Sequence, residues 1–327
     1  MDAPVPNDRT PDEPTSRAVT TVIVAWRSAA FIDACLDAVS ASAPARIMVV
    51  DNASTDGTAA RLAARDDVHV LHLDRNRGFA GGIAAALEHV TTPFVALVND
   101  DAVPQPGWLD ALLVPFAAPD GEAVAATTAK LVLPDGRINN AGGALLPDLY
   151  GYDRGLGDPD DGRWDTADDV EAFCGAGAVL RTAAVRGVGG FPAHFFLYYE
   201  DTDTSLRLRR AGWRIRYVPA ARIIHRHSAS SDQRSARFHY FNERNRLLMI
   251  VRCAPAEVAR GELWRFTRSV AGFARLRFRG RRPTQPSEEA GLRLRVLAAV
   301  VLRLPRELVA RRRITRLAGQ REPAARA

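Results

Sequence analysis

The amino-acid sequence predicts an α/β fold with a doubly wound, mostly parallel sheet and a basic helical extension at its C-terminal end. Two patterns support this prediction. Between residues 20 and 100, short apolar runs alternate with segments of helical period, as in strands joined by crossover helices. From residue 238 onward, the pattern is helical and rich in arginine.

Four apolar runs define the first part of the sheet. Strands are predicted at residues 21–26, 46–50, 68–73 and 94–98, with helices at residues 29–41, 54–64 and 79–90 between them. The turn after the first strand contains no glycine. The glycine-rich fingerprint of dinucleotide-binding folds is therefore absent, and a nicotinamide cofactor is not expected.

Beyond residue 101 the pattern becomes less regular. A short helix is predicted at residues 104–116, and residues 135–163 are rich in Gly, Pro and Asp, which predicts loops over the ligand-binding face. Residues 170–180 and 211–218 are strand-like. A helix over residues 203–210 should end at Gly212.

The 327 residues are sufficient for a large core in one or two domains. Residues 1–18 are polar and contain four prolines, so we interpret them as a disordered leader and not as a signal peptide. The longest apolar run of the tail covers residues 296–302, well short of the roughly 20 residues that span a bilayer. We expect a cytoplasmic protein, with peripheral contact to the inner face of the cell membrane as an option.

The net charge of +6 is unevenly distributed along the chain. Residues 251–327 contain 19 arginines and six glutamates, a net charge of +13, so the remainder carries −7. A basic tail favours an acidic partner, either nucleic acid or an anionic membrane. A nucleic-acid-binding fold would interleave its basic residues with aromatic ones, which this chain does not do, so no nucleic acid is expected. Packing against the sheet and formation of a homodimer are the other roles open to the tail.

Asn99-Asp100-Asp101 follows directly on the fourth predicted strand. Carboxylates at the end of a buried strand repel each other unless a cation lies between them, and hard oxygen ligands suit Mg²⁺ or Mn²⁺. This stretch predicts a metal ion that holds a phosphate, whereas a polar turn is the structural alternative. A neutral His225 could complete the metal's ligands, and His227 is the weaker candidate because alternation along a strand would turn it away.

Two segments are candidates for nucleotide binding. Asp51 ends the second strand within Val49-Val-Asp-Asn-Ala-Ser-Thr-Asp-Gly-Thr58, where a carboxylate can accept the imide N–H of a pyrimidine; helix capping is an equal alternative. Asn76-Arg-Gly-Phe-Ala-Gly-Gly82 opens the third helix, whose N-terminus favours phosphate and where Arg77 adds charge. Close packing through its glycines is the alternative for this segment.

Tyr198-Tyr-Glu-Asp-Thr-Asp203 forms a second acidic cluster before a helix. Acidic residues complement the N-terminus of a helix, and this capping role explains Asp203. A carboxylate beside aromatic residues and another acid has a raised pKa, which suits a general base. Glu200 and Asp201 are therefore candidate catalytic residues.

Taken in this order and spacing, these motifs resemble the family 2 glycosyltransferases with a GT-A fold, and among them the rhamnosyltransferase-like bacterial branch. The resemblance covers about residues 20–255. It implies a GT-A catalytic domain over residues 19–255, followed by the basic helical region over residues 256–327. It also implies inverting, metal-dependent transfer of a sugar from a nucleotide-diphosphate donor to a glycan or polyprenyl-linked acceptor. Rhamnose from dTDP-rhamnose is the first choice, and UDP sugars remain open.

The resemblance further implies a role for each candidate residue. Asp201 is the base, with Glu200 beside it, and Asp101 and His225 bind Mn²⁺ or Mg²⁺. The donor-binding residues are Asp51, Asn52, Asn76, Arg77, Gly78 and Asp100. The segment after residue 238 matches a family helix that carries Arg-Asn, whereas Trp26-Arg27 departs from the usual Tyr-Asn.

Two further alternatives, one an enzyme and the other an inactive binder, are less well supported by the sequence. A sugar-1-phosphate nucleotidyltransferase would need a loop rich in Gly and Arg after the first strand, and residues 25–28 do not provide it. A catalytically inactive sugar-nucleotide binder would not need Asp101, Asp201 and His225 together.

Overall fold

The computed structural model describes residues 14–226 and 234–319. Residues 1–13 of the expected leader and His227 therefore lie outside the described residues. The strands are β1 (Val19–Ala25), β2 (Arg46–Asp51), β3 (His69–His72), β4 (Phe94–Asn99), β5 (Ala102–Pro104), β6 (Val124–Val132), β7 (Ile138–Asn140), β8 (Gly143–Leu145), β9 (Gly151–Asp153), β10 (Gly177–Arg181) and β11 (Arg214–His225). The α-helices are α1 (Ile32–Ser40), α2 (Thr58–Ala63), α3 (Gly78–Leu87), α4 (Trp108–Ala117), α5 (Thr182–Gly187), α6 (Glu200–Arg210), α7 (Ala236–Cys253), α8 (Ala256–Phe278) and α9 (Ala290–Gly319).

The central sheet has the strand order β3-β2-β1-β4-β10-β6-β11-β5, with β7 paired to β6. Strands β1 to β4 pair in parallel, as do β6 and β11. Strand β10 runs antiparallel between β4 and β6 and joins the two parallel groups. The predicted α/β class with a mostly parallel, mixed sheet is thus confirmed.

Both faces of the sheet are covered by helices, which explains the continuous apolar runs of its central strands. Every residue of β1 and β6 is buried. Helices α1, α2 and α4 pack on one face, and α3, α5 and α6 pack on the other. The carboxyl ends of β1, β2 and β4 therefore meet at one open edge, where ligands bind in such sheets.

Several predicted elements differ in their bounds: the strand expected at residues 211–218 is β11 at Arg214–His225, the helix expected at 104–116 begins at Trp108, and the helix expected at 203–210 begins at Glu200. Two regions differ more. The strand expected at residues 170–180 begins only at Gly177, because pairing with β4 starts at Gly177 and pairing with β6 starts at Ala178. Residues before it make isolated bridges instead, such as Ala172 with Gly143. The region 135–163, expected as loops, contains the short strands β7, β8 and β9. Their three-residue length is too short for an alternation to be recognised.

Helices α7, α8 and α9 form a third layer with its own apolar core. The core side chains come from all three helices and from the segment before α6: Phe195, Tyr199, Leu247, Leu248, Ile250, Phe266, Val270, Leu292, Val296 and Val300. Residues on both sides of position 255 therefore share one core. Among the described helices, none is long and apolar enough to cross a membrane.

Candidate active site

A cavity of about 670 Å³ lies at the carboxyl ends of β1 and β4. It is closed on the other side by the segment before α6 and by the first turns of α7. Eight of the predicted site residues line it: Asn52, Asn76, Gly78, Asp100, Asp101, Glu200, Asp201 and His225. Asp51 and Arg77 do not contribute to the lining.

Asp101 and His225 lie side by side at the wall of this cavity. The Nε2 atom of His225 is 3.2 Å from Oδ1 of Asp101, and both side chains are buried. They meet because β11, which ends in His225, pairs with β5 immediately after Asp101. A carboxylate oxygen and an imidazole nitrogen are brought together by the register of two strands.

The tautomer of His225 is set by Asn139 of β7. The Nδ1 atom lies 2.6 Å from Oδ1 of Asn139, and a carboxamide oxygen only accepts, so Nδ1 carries the proton. In the neutral ring, Nε2 then presents its lone pair toward Asp101 and toward the amide of Asn99, 3.2 Å away. A ligating histidine held by a second hydrogen bond is typical of metal sites.

The ligand atoms of Asp101 and His225 fit a divalent cation that is also bound by a substrate. Within residues 14–226 and 234–319, no group of three His, Cys, Asp or Glu side chains converges as a metal cluster. The pair of Asp101 and His225 would thus supply one oxygen and one nitrogen. A hard cation completes its coordination with further oxygen atoms, and diphosphate oxygens are suitable.

Asp100 points toward the turn after β1. Its Oδ2 accepts hydrogen bonds from the Ser28 hydroxyl and from the Trp26 N–H, the latter at 3.3 Å. Burial raises the pKa of Asp100 to about 6, and the charge of Asp101 adds to this effect. Asp100 therefore fixes the 26–28 turn at the rim of the cavity.

The segment at the start of α3 is fixed by two asparagines. The Asn52 side chain accepts from the Arg77 N–H at 2.7 Å and donates to the Gly78 carbonyl at 3.1 Å. Oδ1 of Asn76 accepts from the Gly78 N–H at 2.7 Å. The Arg77 guanidinium pairs with Asp74 at 2.8 Å, outside the cavity.

Gly78 is required by the geometry of this contact. Its φ is +71°, and an added Cβ would lie 2.0 Å from the Phe196 carbonyl oxygen. No side chain fits in that space. The start of α3 therefore touches the segment before α6 directly through backbone atoms.

Asp51 is buried at the end of β2 beside the lined cavity. Oδ1 accepts from the Ser54 N–H at 3.0 Å, and Oδ2 lies 3.2 Å from Nδ1 of His72. This arrangement closes the turn between β2 and α2. Asp51 does not cap α2, whose N-cap residue is Gly57, so the capping role considered for Asp51 is not the one observed.

Glu200 and Asp201 begin α6 and line the same cavity. Asp201 accepts hydrogen bonds from the Gly175 N–H at 3.3 Å and from the Thr202 N–H at 2.6 Å. Burial raises the pKa of Asp201, and the charge of Asp153 adds to it. Burial, followed by the charge of Asp201, raises the pKa of Glu200 well above its usual range.

The three aromatic residues before these carboxylates have unusual backbone geometry. Phe196, Tyr198 and Tyr199 have φ values of +70°, +70° and +67°, a region that costs a non-glycine residue roughly 1–3 kcal/mol. Such a conformation persists only where the surroundings enforce it.

Two adjacent residues of α7 enforce this conformation, and the sequence analysis gave them no role. The Asn245 amide donates to the carbonyls of Phe195, Leu197 and Tyr198 at 2.8–2.9 Å. Arg244 donates to the carbonyls of His194 and Phe195. The signal available in the sequence was a run of five polar residues, 242–246, directly before the apolar run 247–251 of the same helix. The last three of the five are Arg244, Asn245 and Arg246. All three side chains are buried.

A buried ion network fastens the first turn of α6 to α7 and α9. Asp203 lies in that turn as predicted, but its carboxylate pairs with Arg207 at 2.7 Å and Arg252 at 3.1 Å. Arg252 also pairs with Glu307 of α9 at 3.3 Å, and Glu307 lies 2.9 Å from Nε2 of His194. The pairs with its arginines hold the pKa of Asp203 below its usual range despite burial.

A family model described as "Glycosyltransferase like family 2" matches residues 16–248. The pre-mycofactocin glycosyltransferase of Mycobacterium tuberculosis is 32% identical over 234 residues, which are 69% of this chain and 46% of that protein. The N-acetylglucosaminyl-diphospho-decaprenol L-rhamnosyltransferase of the same organism is 28% identical over 220 residues, 60% of this chain and 71% of that protein. This chain thus spans about half the length of the first of these relatives.

A crystal structure of GalNAc-T7 with UDP, GalNAc and Mn²⁺ is similar in fold. The TM-score is 0.57 at 14% identity, and the match covers 71% of this chain and 47% of that one. The family model covers more than half of the chain and includes the strands and helices that build the cavity. This chain therefore belongs to the glycosyltransferase family 2 and has the GT-A fold.

Proposed function

We propose that this enzyme transfers a sugar, with inversion, from a nucleotide-diphosphate donor to an acceptor hydroxyl in a metal-dependent reaction. One observation carries the proposal: the Asp101–His225 pair, at the ends of β4 and β11, and the Asp201 carboxylate, at the start of α6, line the same cavity. This arrangement suits a reaction in which a leaving group departs on one side while a nucleophile is deprotonated on the other.

The donor's diphosphate is assigned to the wall formed by Asp101 and His225. Mn²⁺ or Mg²⁺ bound to these residues supplies positive charge for the departing diphosphate. Asn139 accepts from Nδ1 and so orients the His225 ring, and Asp100 holds the Trp26 turn that forms the cavity rim. The Mn²⁺ that accompanies UDP in the GalNAc-T7 structure supports a divalent metal in this fold.

The nucleoside is assigned to the ends of β1 and β2 and to the start of α3. Asp51 would accept the pyrimidine imide N–H. Asn52 and Asn76 act by accepting hydrogen bonds from the Arg77 and Gly78 N–H groups, which holds Gly78 at the cavity wall. Arg77 contributes through its backbone, since its guanidinium pairs with Asp74.

Asp201 is assigned as the base. Its carboxylate takes the proton of the acceptor hydroxyl as the acceptor oxygen bonds to the anomeric carbon. The bond from that carbon to the diphosphate oxygen breaks on the opposite side, which inverts the centre. Glu200 lies beside Asp201, and burial followed by the charge of Asp201 raises the pKa of Glu200 well above its usual range.

For the substrates, we propose rhamnose from dTDP-rhamnose and a glycan or polyprenyl-linked acceptor. The decaprenol-linked L-rhamnosyltransferase among the relatives supports this choice at 28% identity. A lipid-linked acceptor places catalysis at the inner face of the cell membrane, with the enzyme bound peripherally.

Thermal-shift assays with a panel of nucleotide sugars test the proposed donor. The full-length protein is mixed with dTDP-rhamnose, UDP sugars or GDP-mannose, each with Mn²⁺, Mg²⁺ or EDTA. We expect the largest stabilisation with dTDP-rhamnose and a divalent metal. Metal-independent stabilisation would contradict the assignment of Asp101 and His225, and a preference for a UDP sugar would replace rhamnose.

A further inference from the structure

The outer surface of α8 and α9 is unusually apolar for a protein surface. Of the eleven large apolar side chains that are exposed within the described residues, seven belong to these two helices. They are Trp264, Phe278, Leu294, Val301, Leu302, Leu308 and Val309. Phe278 is 94% exposed and Leu302 is 81% exposed, although residues of these types are usually covered.

These side chains are on the face turned away from the body of the protein. Both helices pack on α7 through a different stripe, which includes Phe266, Val270, Val296 and Val300. Leu263 and Phe273 belong to that inward side, where Arg293 of α9 stacks over the Phe273 ring. The apolar residues that recur at helical spacing in α8, Leu263, Phe266, Val270 and Phe273, are therefore on the inward side, and the outer stripe is a second one.

Charges are separated between the two sides of this layer. Glu262 and Glu307 are buried in ion pairs with Arg246 and Arg252, so their negative charge is neutralised inside the protein. Glu257, in the first turn of α8, is the one exposed glutamate of the two helices as described. Exposed arginines surround the outer apolar stripe: Arg260, Arg268, Arg275, Arg295, Arg306, Arg312 and Arg313.

We propose that this outer surface of α8 and α9, defined by its seven exposed apolar residues and the arginines around them, docks on an anionic lipid surface. Apolar side chains flanked by arginines match a membrane interface, where acyl chains lie beneath negatively charged headgroups. The separation of charge favours lipid over a second copy of the chain, because two such arginine-rich surfaces would repel each other.

Helix α7 connects the cavity to the layer that carries this docking surface. The first turns of α7, with Phe238 and Asn242, line the cavity, and its later turns support α8 and α9. This proposal rests on the proposed function in one respect: the benefit of docking is access to a lipid-linked acceptor.

Vesicle co-sedimentation of the full-length protein tests this docking surface. Vesicles of phosphatidylcholine are compared with vesicles that contain phosphatidylglycerol, at low and high salt. We expect binding only to the anionic vesicles and a loss of binding as salt rises. The double variant Val301→Glu/Leu302→Glu should reduce the bound fraction at least tenfold, and the matched control Val114→Glu, at an exposed valine of α4, should not.

A second measurement locates the contact. Brominated lipids should quench tryptophan fluorescence in the parent protein, and Trp264→Phe should remove most of that quenching.

Undiminished binding of Val301→Glu/Leu302→Glu would overturn the proposal. If the parent protein does not bind vesicles but forms a homodimer, and this variant dissociates that homodimer, the surface belongs to a second copy of the chain instead. Donor binding measured without vesicles is independent of these results, so failure of docking and failure of the proposed reaction are distinguishable.

Discussion

The side-chain amide of Asn245 lies 2.8 Å from the carbonyl oxygen of Tyr198 and connects α7 to the segment that carries Glu200 and Asp201. Tyr198 has a positive φ, and Asn245 also donates to two further carbonyls of the same segment. A buried amide thus holds a backbone conformation that would otherwise relax. The position of the proposed base depends on a residue that is remote in sequence.

Asn245→Asp should lower the turnover number while donor affinity stays nearly unchanged. The carboxylate keeps the shape but cannot donate, so three carbonyls face an oxygen and the Tyr198 segment shifts. A displacement of about 1 Å at reacting groups costs on the order of 10²-fold in rate. Steady-state kinetics and calorimetry with the donor measure the two effects.

Thr127→Val is the matched control for that variant. It removes a buried hydrogen bond to the Leu112 carbonyl on α4, which costs about 1 kcal/mol of stability without touching the cavity. Its turnover should equal that of the parent below its melting temperature. If Asn245→Asp also retained parental turnover, a positioning role for Asn245 would be ruled out.

Asp201→Asn should abolish transfer but leave donor binding intact. The amide fills the same space and cannot take the acceptor's proton, and loss of a general base typically costs about 10²–10⁴ in rate. Single-turnover transfer and donor calorimetry measure the two properties. Turnover within a few-fold of the parent would move the role of base to Glu200.

The pH profile of kcat/KM should have an acid limb above the ordinary range of aspartate. Burial raises the pKa of Asp201, and the base is active only when ionised. The rate therefore rises with pH through this raised pKa, and the midpoint lies above about 3.9. An acid limb with its midpoint at the ordinary value of about 3.9 would argue against Asp201 as the base. An acid limb that stays the same in the residual activity of Asp201→Asn would also argue against it.

Asp101→Ala and His225→Ala should both weaken the metal-dependent part of nucleoside diphosphate binding. The carboxylate should matter more, because hard cations prefer oxygen. Asn139→Leu should weaken it about 10–100-fold, since it removes the acceptor that sets the His225 tautomer. Calorimetry with Mn²⁺ and with EDTA separates the metal contribution, and an unchanged difference in Asp101→Ala would contradict the site.

Glu307→Ala should destabilise the protein by about 3–5 kcal/mol. The substitution leaves Arg252 without one of its buried carboxylate partners, and breaking a buried pair typically costs that much. Glu257→Ala, at an exposed position of the neighbouring helix, should change stability by less than about 0.5 kcal/mol. Urea unfolding compares the two, and equal stabilities would show that the pair to α9 contributes little.

Much of the sheet could be predicted because local patterns determine it. The runs that become β1, β2 and β4 are apolar along their length, and their carboxyl ends point to one edge in any parallel arrangement. The candidates Asp100 and Asp101 follow from that rule. His225 is a candidate from its residue type alone. Its place beside Asp101 could not be derived, because the pairing of β11 with β5 depends on a register that is not visible locally.

The remaining features depend on contacts between distant segments. Asn139 reaches His225 only after β7 has paired with β6, and Asn245 reaches Tyr198 only when α7 packs on α6. Arg77 was expected to place its charge at the nucleotide, but its guanidinium pairs with Asp74, three positions away. The spacing of the residues does not show which of the two partners Arg77 contacts. Local patterns thus predict the framework better than its polar contacts.

The ion network from Asp203 through Arg252 to Glu307 also affects the order in which the protein can mature on a ribosome. The strands that hold the proposed donor are synthesised early and can pair as they emerge. Arg252 and His194, however, obtain their buried partner Glu307 only after α9 has left the exit tunnel of the ribosome. A nascent chain should therefore acquire nucleotide affinity well before it acquires transfer activity, and translation that stops before residue 307 should yield binders that do not turn over.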